Sequence, residues 1–389
     1  MNGLGLLPRA FEPLPLGQVT PAGWLRSQLQ IQADGLTGHL HEFWPDIARS
    51  QWIGGDVEGW ERGPYWLDGL VPLAHLLEDR RLQDVASFWV DRILASQHAD
   101  GWLGPIHDER FGYPYDPWPL FIVLKALSQH HEATGDARIL PAMARLFSKL
   151  DTLLRDRPLR SWARYRWADL LLSVHWLYER TGEPWLLDLG ATIQEQGYDW
   201  RAQFRTFPYW DKVHRIERDQ STHGVNVAMA LKAYGVWSRQ SSDPTDRAVP
   251  LRMLALLDRY HGQATGMFSC DEHLAGRSPS QGSELCAVVE AMYSLEVLLS
   301  TIGEPALAGS AGAAGVQRPA GHPDARRVGA PVRSAGQPGR LPRLRPARLD
   351  EQRPRGERLR PPAELSVLYG EPAPGLAEVR GAPLDALPG

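Results

Sequence analysis

Glu284 and Cys286 stand two residues apart at the head of an apolar helical run, with Asp271-Glu272-His273 a dozen residues upstream. A carboxylate and a thiol side by side are zinc ligands by type, and a second carboxylate nearby is what a proton donor and acceptor requires. Coordination would hold the thiol as a thiolate at neutral pH. The plainer reading is a Cys serving as a small buried hydrophobe. Residues two apart on a helix do not share a face. Joint ligation therefore calls for Ser283 as the N-cap, with Glu284 and Cys286 in the first turn below a metal at the helix end.

Three loops hold the other candidates. They are Trp60-Glu61-Arg62-Gly63-Pro64-Tyr65-Trp66 with Asp68 just beyond, Tyr113-Pro114-Tyr115-Asp116-Pro117-Trp118, and Thr222-His223-Gly224-Val225-Asn226. Aromatics among carboxylates, His and Asn suit a sugar, whose C–H faces stack and whose hydroxyls need donors and acceptors. Trp66, Asp68, Asp116, Trp118 and His223 are accordingly expected to meet an oligosaccharide or glycoside. About as many of these aromatics are expected simply to fill contacts between helices. A metal-free arrangement is the alternative, with Asp116 or Asp68 paired with Glu272 as two catalytic carboxylates. No Gly-rich phosphate loop and no basic stripe with stacking aromatics occurs in this part of the chain, which argues against nucleic acid.

Those loops precede helices that recur along the chain. Leu70, Leu73, Ala74 and Leu77 follow helical spacing, as do Leu120, Val123, Leu124 and Leu127, then Leu170, Leu171, Val174 and Leu177. Val227, Ala230, Leu231 and Tyr234, and then Val288, Ala291, Met292 and Leu295, continue the series. Polar breaks follow, at Thr134-Gly135-Asp136, Thr181-Gly182-Glu183 and Ile302-Gly303-Glu304, with Gly where a helix C-terminus favours a left-handed residue. Second helical segments come next, over Ile139 to Leu154 and Leu186 to Gln196, so the unit is a helical hairpin of roughly 50 residues. The pattern predicts an all-α fold. Stacked hairpins make an open solenoid or an α/α barrel, and the loops favour closure, because a toroid gathers them over one mouth.

Composition divides the chain near Ala308. Of the 82 residues from 308 to 389, 52 are Ala, Gly, Pro or Arg, and none is Phe, Trp, Ile, Met, Lys, Asn, Thr or Cys. Such a stretch cannot bury enough apolar surface to offset its ordering entropy and is expected to be disordered. All 15 Trp precede position 238, and the formal charge of -4 hides an acidic body and a basic tail. Residues 1–307 are read as one partial barrel domain and 308–389 as a low-complexity tail. Two cysteines, Cys270 and Cys286, argue against a disulfide framework. Met1 to Val19 lacks the pattern of a secretory leader and no stretch approaches the roughly 20 apolar residues of a bilayer span, so the expectation is a cytoplasmic protein without membrane contact. Oligomeric state is not legible.

The body resembles the catalytic domain of glycoside hydrolase family 127, the β-L-arabinofuranosidase-like enzymes. Pro15-Leu16-Gly17, Gly23-Trp24-Leu25, Trp52-Ile53-Gly54-Gly55, Gly101-Trp102-Leu103-Gly104-Pro105, Thr222 to Asn226 and Gly276 to Cys286 carry the likeness, in that order, over nearly all of residues 11 to 307. The resemblance implies an α/α-barrel catalytic domain and a zinc held by a Glu-x-Cys pair and a later Cys-Cys pair, one of whose thiolates attacks the anomeric carbon with retention. It implies Glu284 and Cys286 as zinc ligands, Glu272 as acid and base with Asp271 as the alternative, and His223 against the sugar.

The later Cys-Cys pair is missing from this chain. A frameshift near residue 308 is expected to be the cause. With permitted codons, residues 309–322 read one base later can give an amphipathic segment, and the same shift from Val367 can read Cys-Cys-Thr-Ala-Asn. The chain is expected to be truncated in its coding sense and inactive.

Overall fold

The computed structural model describes residues 5–107 and 114–309. The expected tail disorder from residue 310 onward, the frameshifted segment and Tyr113 of the second aromatic loop lie outside the described residues. The α-helices that build the barrel are, in chain order, α1 (Gly23–Asp34), α2 (Leu36–Phe43), α3 (Pro45–Ala48), α4 (Arg62–Leu76), α5 (Arg80–Ala95), α6 (Trp118–Thr134), α7 (Ile139–Asp156), α8 (Ser161–Tyr165), α9 (Trp167–Thr181), α10 (Trp185–Gln196), α11 (Trp200–Thr206), α12 (Gly224–Ala230), α13 (Ala233–Trp237), α14 (Val249–His261) and α15 (Leu285–Ile302).

Burial sorts these into two rings. Nearly every residue of α4 from Gly63 to Ala74 is buried, and α6, α9, α12 and α15 are comparably enclosed. A helix apolar all round belongs inside. By contrast α7 buries Ile139, Ala142, Met143, Leu146, Phe147, Leu150 and Leu154, a single stripe at three- and four-residue steps. Helices α5 and α14 follow the same rule, so these form the outer ring. Inner neighbours pack in order: α4 on α6, α6 on α9, α9 on α13, and α12 on α15. Tyr65 on α4 donates to Glu290 on α15 at 3.4 Å, turning the ring back on itself. The result is the expected α/α barrel of helical hairpins.

The hairpin breaks take the expected form. Gly135, Gly182 and Gly303 end α6, α9 and α15 in the left-handed region, at φ of 71°, 70° and 71°. The inner helix expected over Val227 to Tyr234 is instead two pieces, because the chain turns at Leu231 and Lys232 and buries Lys232 completely. By length and composition α15 could cross a membrane, yet two-thirds of it is buried inside the protein and it carries Glu290 and Glu296. One irregularity was not expected from the sequence: a two-stranded hairpin of β1 (Cys270–Asp271) and β2 (His273–Leu274).

Candidate active site

Polarity runs one way around the barrel. The residue capping the N-terminus of each inner helix is Glu61, Pro117, Arg166, His223 and Glu284 for α4, α6, α9, α12 and α15. Four of those five positions carry a group able to ionise, and Asp116 adjoins the fifth. Parallel inner helices therefore gather this chemistry at one mouth.

The β1–β2 hairpin builds the centre of that mouth. Asp271 pairs directly with His273, which leaves Glu272 alone at the apex with φ of 63°, a conformation rare for a residue with a side chain. The hairpin is bonded into the loop before α12, with Gly224 N donating to Glu272 O at 2.9 Å and Leu274 N to Thr222 O at 3.0 Å. It is bonded equally into the loop before α15, with Cys270 N donating to Gly282 O at 3.0 Å and Glu284 N to Cys270 O at 3.2 Å. A Cβ on residue 224 would stand 2.3 Å from the Cys270 Cβ, so only Gly lets these backbones approach. Three distant stretches are thereby tied together, and their side chains converge.

His223 Nε2 lies 3.5 Å from Glu272 Oε2. Ligand atoms of His223, Glu272 and Glu284 all fall within 4.8 Å of one another. The charges are unbalanced. Burial and then the negative charge of Glu272 push the Glu284 carboxyl up to about 7, with the Cys286 thiol and Arg166 partly offsetting them. The bond to His223 holds Glu272 below its ordinary value, whereas burial pushes His223 down. Glu284 Oε2 is buried without a hydrogen-bond partner among the described residues.

Ser283 does not cap α15, because its hydroxyl donates to Phe268 O at 2.8 Å and Glu284 itself takes the N-cap position. Cys286 is buried and hydrogen-bonded to the Glu284 carboxylate, so the two ligands expected at the head of α15 adjoin each other. Asp271 is the neighbour of Glu272 on β1 and adds to the negative charge felt by Glu284.

The remaining sequence candidates are distributed differently. Asp116 accepts from Trp60 Nε1 at 2.9 Å and from Trp118 N at 3.1 Å, at the rim of a 580 Å³ cavity that Trp60, Tyr115 and Trp162 also line. Trp118 is at the mouth but fully buried, donating to Glu61 Oε2 at 2.6 Å. Trp66 is not at the mouth; it faces the outer ring, with Nε1 on Thr37 O at 2.8 Å and its edge against Trp89. Asp68 lies inside the barrel, paired with Lys125 at 3.2 Å. The carboxylate that meets Glu272 is Glu284.

Sequence reasoning missed Arg166. Its guanidinium lies 4.1 Å from the Trp118 ring and 4.6 Å from Trp162, with Nε donating to Asn226 Oδ1 at 2.7 Å. The Trp162 ring in turn meets His223 edge-on at 5.3 Å. Its signal was positional, a charged residue immediately before an inner helix, as with Glu61 and His223.

Residues 27–311 match the family model of the β-L-arabinofuranosidase GH127 catalytic domain, and the chain belongs to that family of glycoside hydrolases. Among solved structures it is similar to a GH127 β-L-arabinofuranosidase from Geobacillus stearothermophilus T6, with a TM-score of 0.58 and 15% identity over 76% of this chain and 55% of that one. It is also similar to a second GH127 β-arabinofuranosidase, with a TM-score of 0.53 and 13% identity over 78% and 53%. An unsaturated glucuronyl hydrolase from Streptococcus agalactiae gives a TM-score of 0.53 and 14% identity over 80% and 84%. At these identities the likeness carries the fold alone. The chain spans about half the length of the GH127 structures it matches. No curated protein matches it.

Proposed function

We propose that the mouth receives the non-reducing end of a glycoside of the β-L-arabinofuranoside type, and that this polypeptide binds it without turning it over. The observation that carries the reading is the convergence of His223, Glu272 and Glu284 over the inner-helix N-termini. Glu272 is the exposed member, with 65% of its side chain open, and is the group placed to give a proton to a departing oxygen and take one from water. Asp271 is its neighbour and the alternative. His223 and Asp116 contact sugar hydroxyls, while Trp118 acts from behind them through Glu61 and Arg166.

The family implies a zinc held by Glu284, Cys286 and a further Cys pair. The residues present do not fit it. Glu284 and Cys286 are in contact, but the later Cys pair is absent, and the only other cysteine in the sequence, Cys270, is buried against Gly224. No second thiolate is available to attack an anomeric carbon, so no catalytic step is derived through the metal. A change of reading frame near residue 308 accounts for the missing pair in this proposal, and the gene sequence tests it.

Titration of an arabinose-containing oligosaccharide, in chelator, tests binding. Saturable association that weakens about tenfold in His223→Ala is expected, consistent with losing a hydrogen bond to a sugar hydroxyl. Absence of association, or indifference to His223, would overturn the sugar site. Release of aryl alcohol from an aryl β-L-arabinofuranoside above the blank would overturn the absence of turnover.

A further inference from the structure

The misfit with a thiolate-rich zinc site leaves the crowding of Glu284 against Glu272 without an account. Two carboxylates side by side repel, and burying one of them without a counter-charge is costly. Among the described residues no lysine or arginine forms an ion pair with Glu272 or Glu284; Arg166, whose charge reaches Glu284, is held by Asn226 and lies beside two indoles. The Glu284 oxygen buried without a partner belongs to this same group.

We propose that His223, Glu272 and Glu284 form a divalent metal site of one imidazole nitrogen and two carboxylate oxygens, in place of the thiolate site that the family implies. Donor atoms about 2.0–2.2 Å from a tetrahedral ion stand roughly 3.3–3.6 Å apart. The 3.5 Å between His223 and Glu272 already meets that spacing, and Glu284, within 4.8 Å, closes it by side-chain rotation. Imidazole with carboxylate selects a zinc-like first-row ion over calcium or magnesium, which favour all-oxygen sets. Three protein ligands leave one position for water or a sugar hydroxyl. Backbone bonds of the β1–β2 hairpin to both flanking loops hold the donors in register before any ion arrives.

Loading has one identifiable cost. Nδ1 of His223 accepts from Asn226 N at 3.4 Å, a long bond that is given up when Nε2 yields its proton to become the ligand. Loading also has a consequence for the proposed function on which this inference builds: a Glu272 bound to metal is not free to move protons, so the loaded chain is a binding state.

The test is calorimetric titration of Zn(II) into the chelator-stripped full chain, with Co(II) absorption as the second measurement and no sugar present. One ion per chain is expected, with visible ligand-field bands of Co(II) and without the intense near-ultraviolet charge transfer of a cobalt thiolate. His223→Ala and Glu284→Gln should each weaken Zn(II) at least about 100-fold, beyond the loss typical of a supporting residue, while their metal-free melting temperatures stay close to that of the parent. Cys286→Ser should change it by roughly 3-fold, the size of one hydrogen bond to Glu284. A thiolate band that disappears in Cys286→Ser, or Zn(II) binding indifferent to His223, or no binding, overturns the proposal. Sugar binding is read separately in chelator, so its failure leaves this result standing and the reverse also holds.

Discussion

The middle of the barrel and its mouth treat charge oppositely. Halfway down the interior each lysine meets an acid: Lys125 with Asp68 at 3.2 Å and Lys232 with Asp169 at 2.9 Å, the two ammoniums 3.6 and 5.0 Å from the Tyr293 ring. At the mouth, acid faces acid, with Glu272 against Glu284 and a single histidine between them. Balanced charge fastens inner helices to one another. Unbalanced charge raises the free energy of the folded chain unless a ligand neutralises it, and such sites are where function concentrates. The comparison therefore separates residues that hold the barrel from residues that use it.

The largest effect should come from unbalancing the interior. Lys232 is fully buried where α12 breaks into α13, and Lys232→Met leaves Asp169 without its partner. A loss of about 3–5 kcal/mol in urea unfolding is expected, and replacing Asp169 by Leu as well should restore much of it. A single-variant loss under about 1 kcal/mol would mean that the pair does not fasten these helices.

Glu296 sharpens the contrast, because among the described residues this interior acid forms no ion pair. It lines a 620 Å³ cavity at the far end of the inner helices, and burial pushes its carboxyl up to about 8, with Lys125 partly offsetting. A folded-state value above the ordinary 4.5 means that the folded chain binds the proton more tightly. Stability should then be greatest below about pH 4.5 with respect to this group, and fall as pH rises toward 8. Glu296→Gln should remove that part of the slope and stabilise the protein at pH 9 by roughly 1–3 kcal/mol, discounted for partial access to the cavity. Parallel melting-temperature profiles for the two proteins would show that Glu296 is not buried as described.

At the mouth a smaller stability effect is expected from Trp118→Phe. It removes the 2.6 Å donor to the buried Glu61 carboxylate and preserves most of the ring volume. A cost of about 1–3 kcal/mol follows from leaving that oxygen unsatisfied, measured by denaturant unfolding. No change would show that Arg166 alone suffices for Glu61.

Much of the barrel was legible because its signals are local. The stripe through Leu120, Val123, Leu124 and Leu127 and the Gly at 135, 182 and 303 act within one turn of helix, and all appear where the spacing placed them. The site is legible only in part, since what assembles it is pairing between segments. A hairpin of two residues per strand has too little length to show alternation, yet it is what carries Glu272 to His223. Ser283 has the right residue type for a cap, but Phe268 O takes its hydroxyl. Trp66 sits in an aromatic loop motif but lies one turn inside α4, where helical rotation points it at Trp89. Arg166 escaped notice because two of its partners, Trp118 and Asn226, come from other segments; only Trp162, one helical turn before it on α8, is local.

Asp116 tests where the boundary between holding and using falls. Its two oxygens accept from Trp60 Nε1 and Trp118 N, which are structural duties, yet it stands at the rim of the cavity beside the mouth. Asp116→Asn keeps the shape but supplies only one acceptor oxygen, so a stability loss of about 1 kcal/mol is expected from whichever donor goes unmet. If Asp116 also binds a sugar hydroxyl, affinity for an arabinose-containing oligosaccharide should fall about tenfold, a change that loss of fold at that size cannot produce because nearly all molecules remain folded. Unchanged affinity alongside the stability loss would assign Asp116 to the scaffold. The using region would then contract to the three side chains around the hairpin apex.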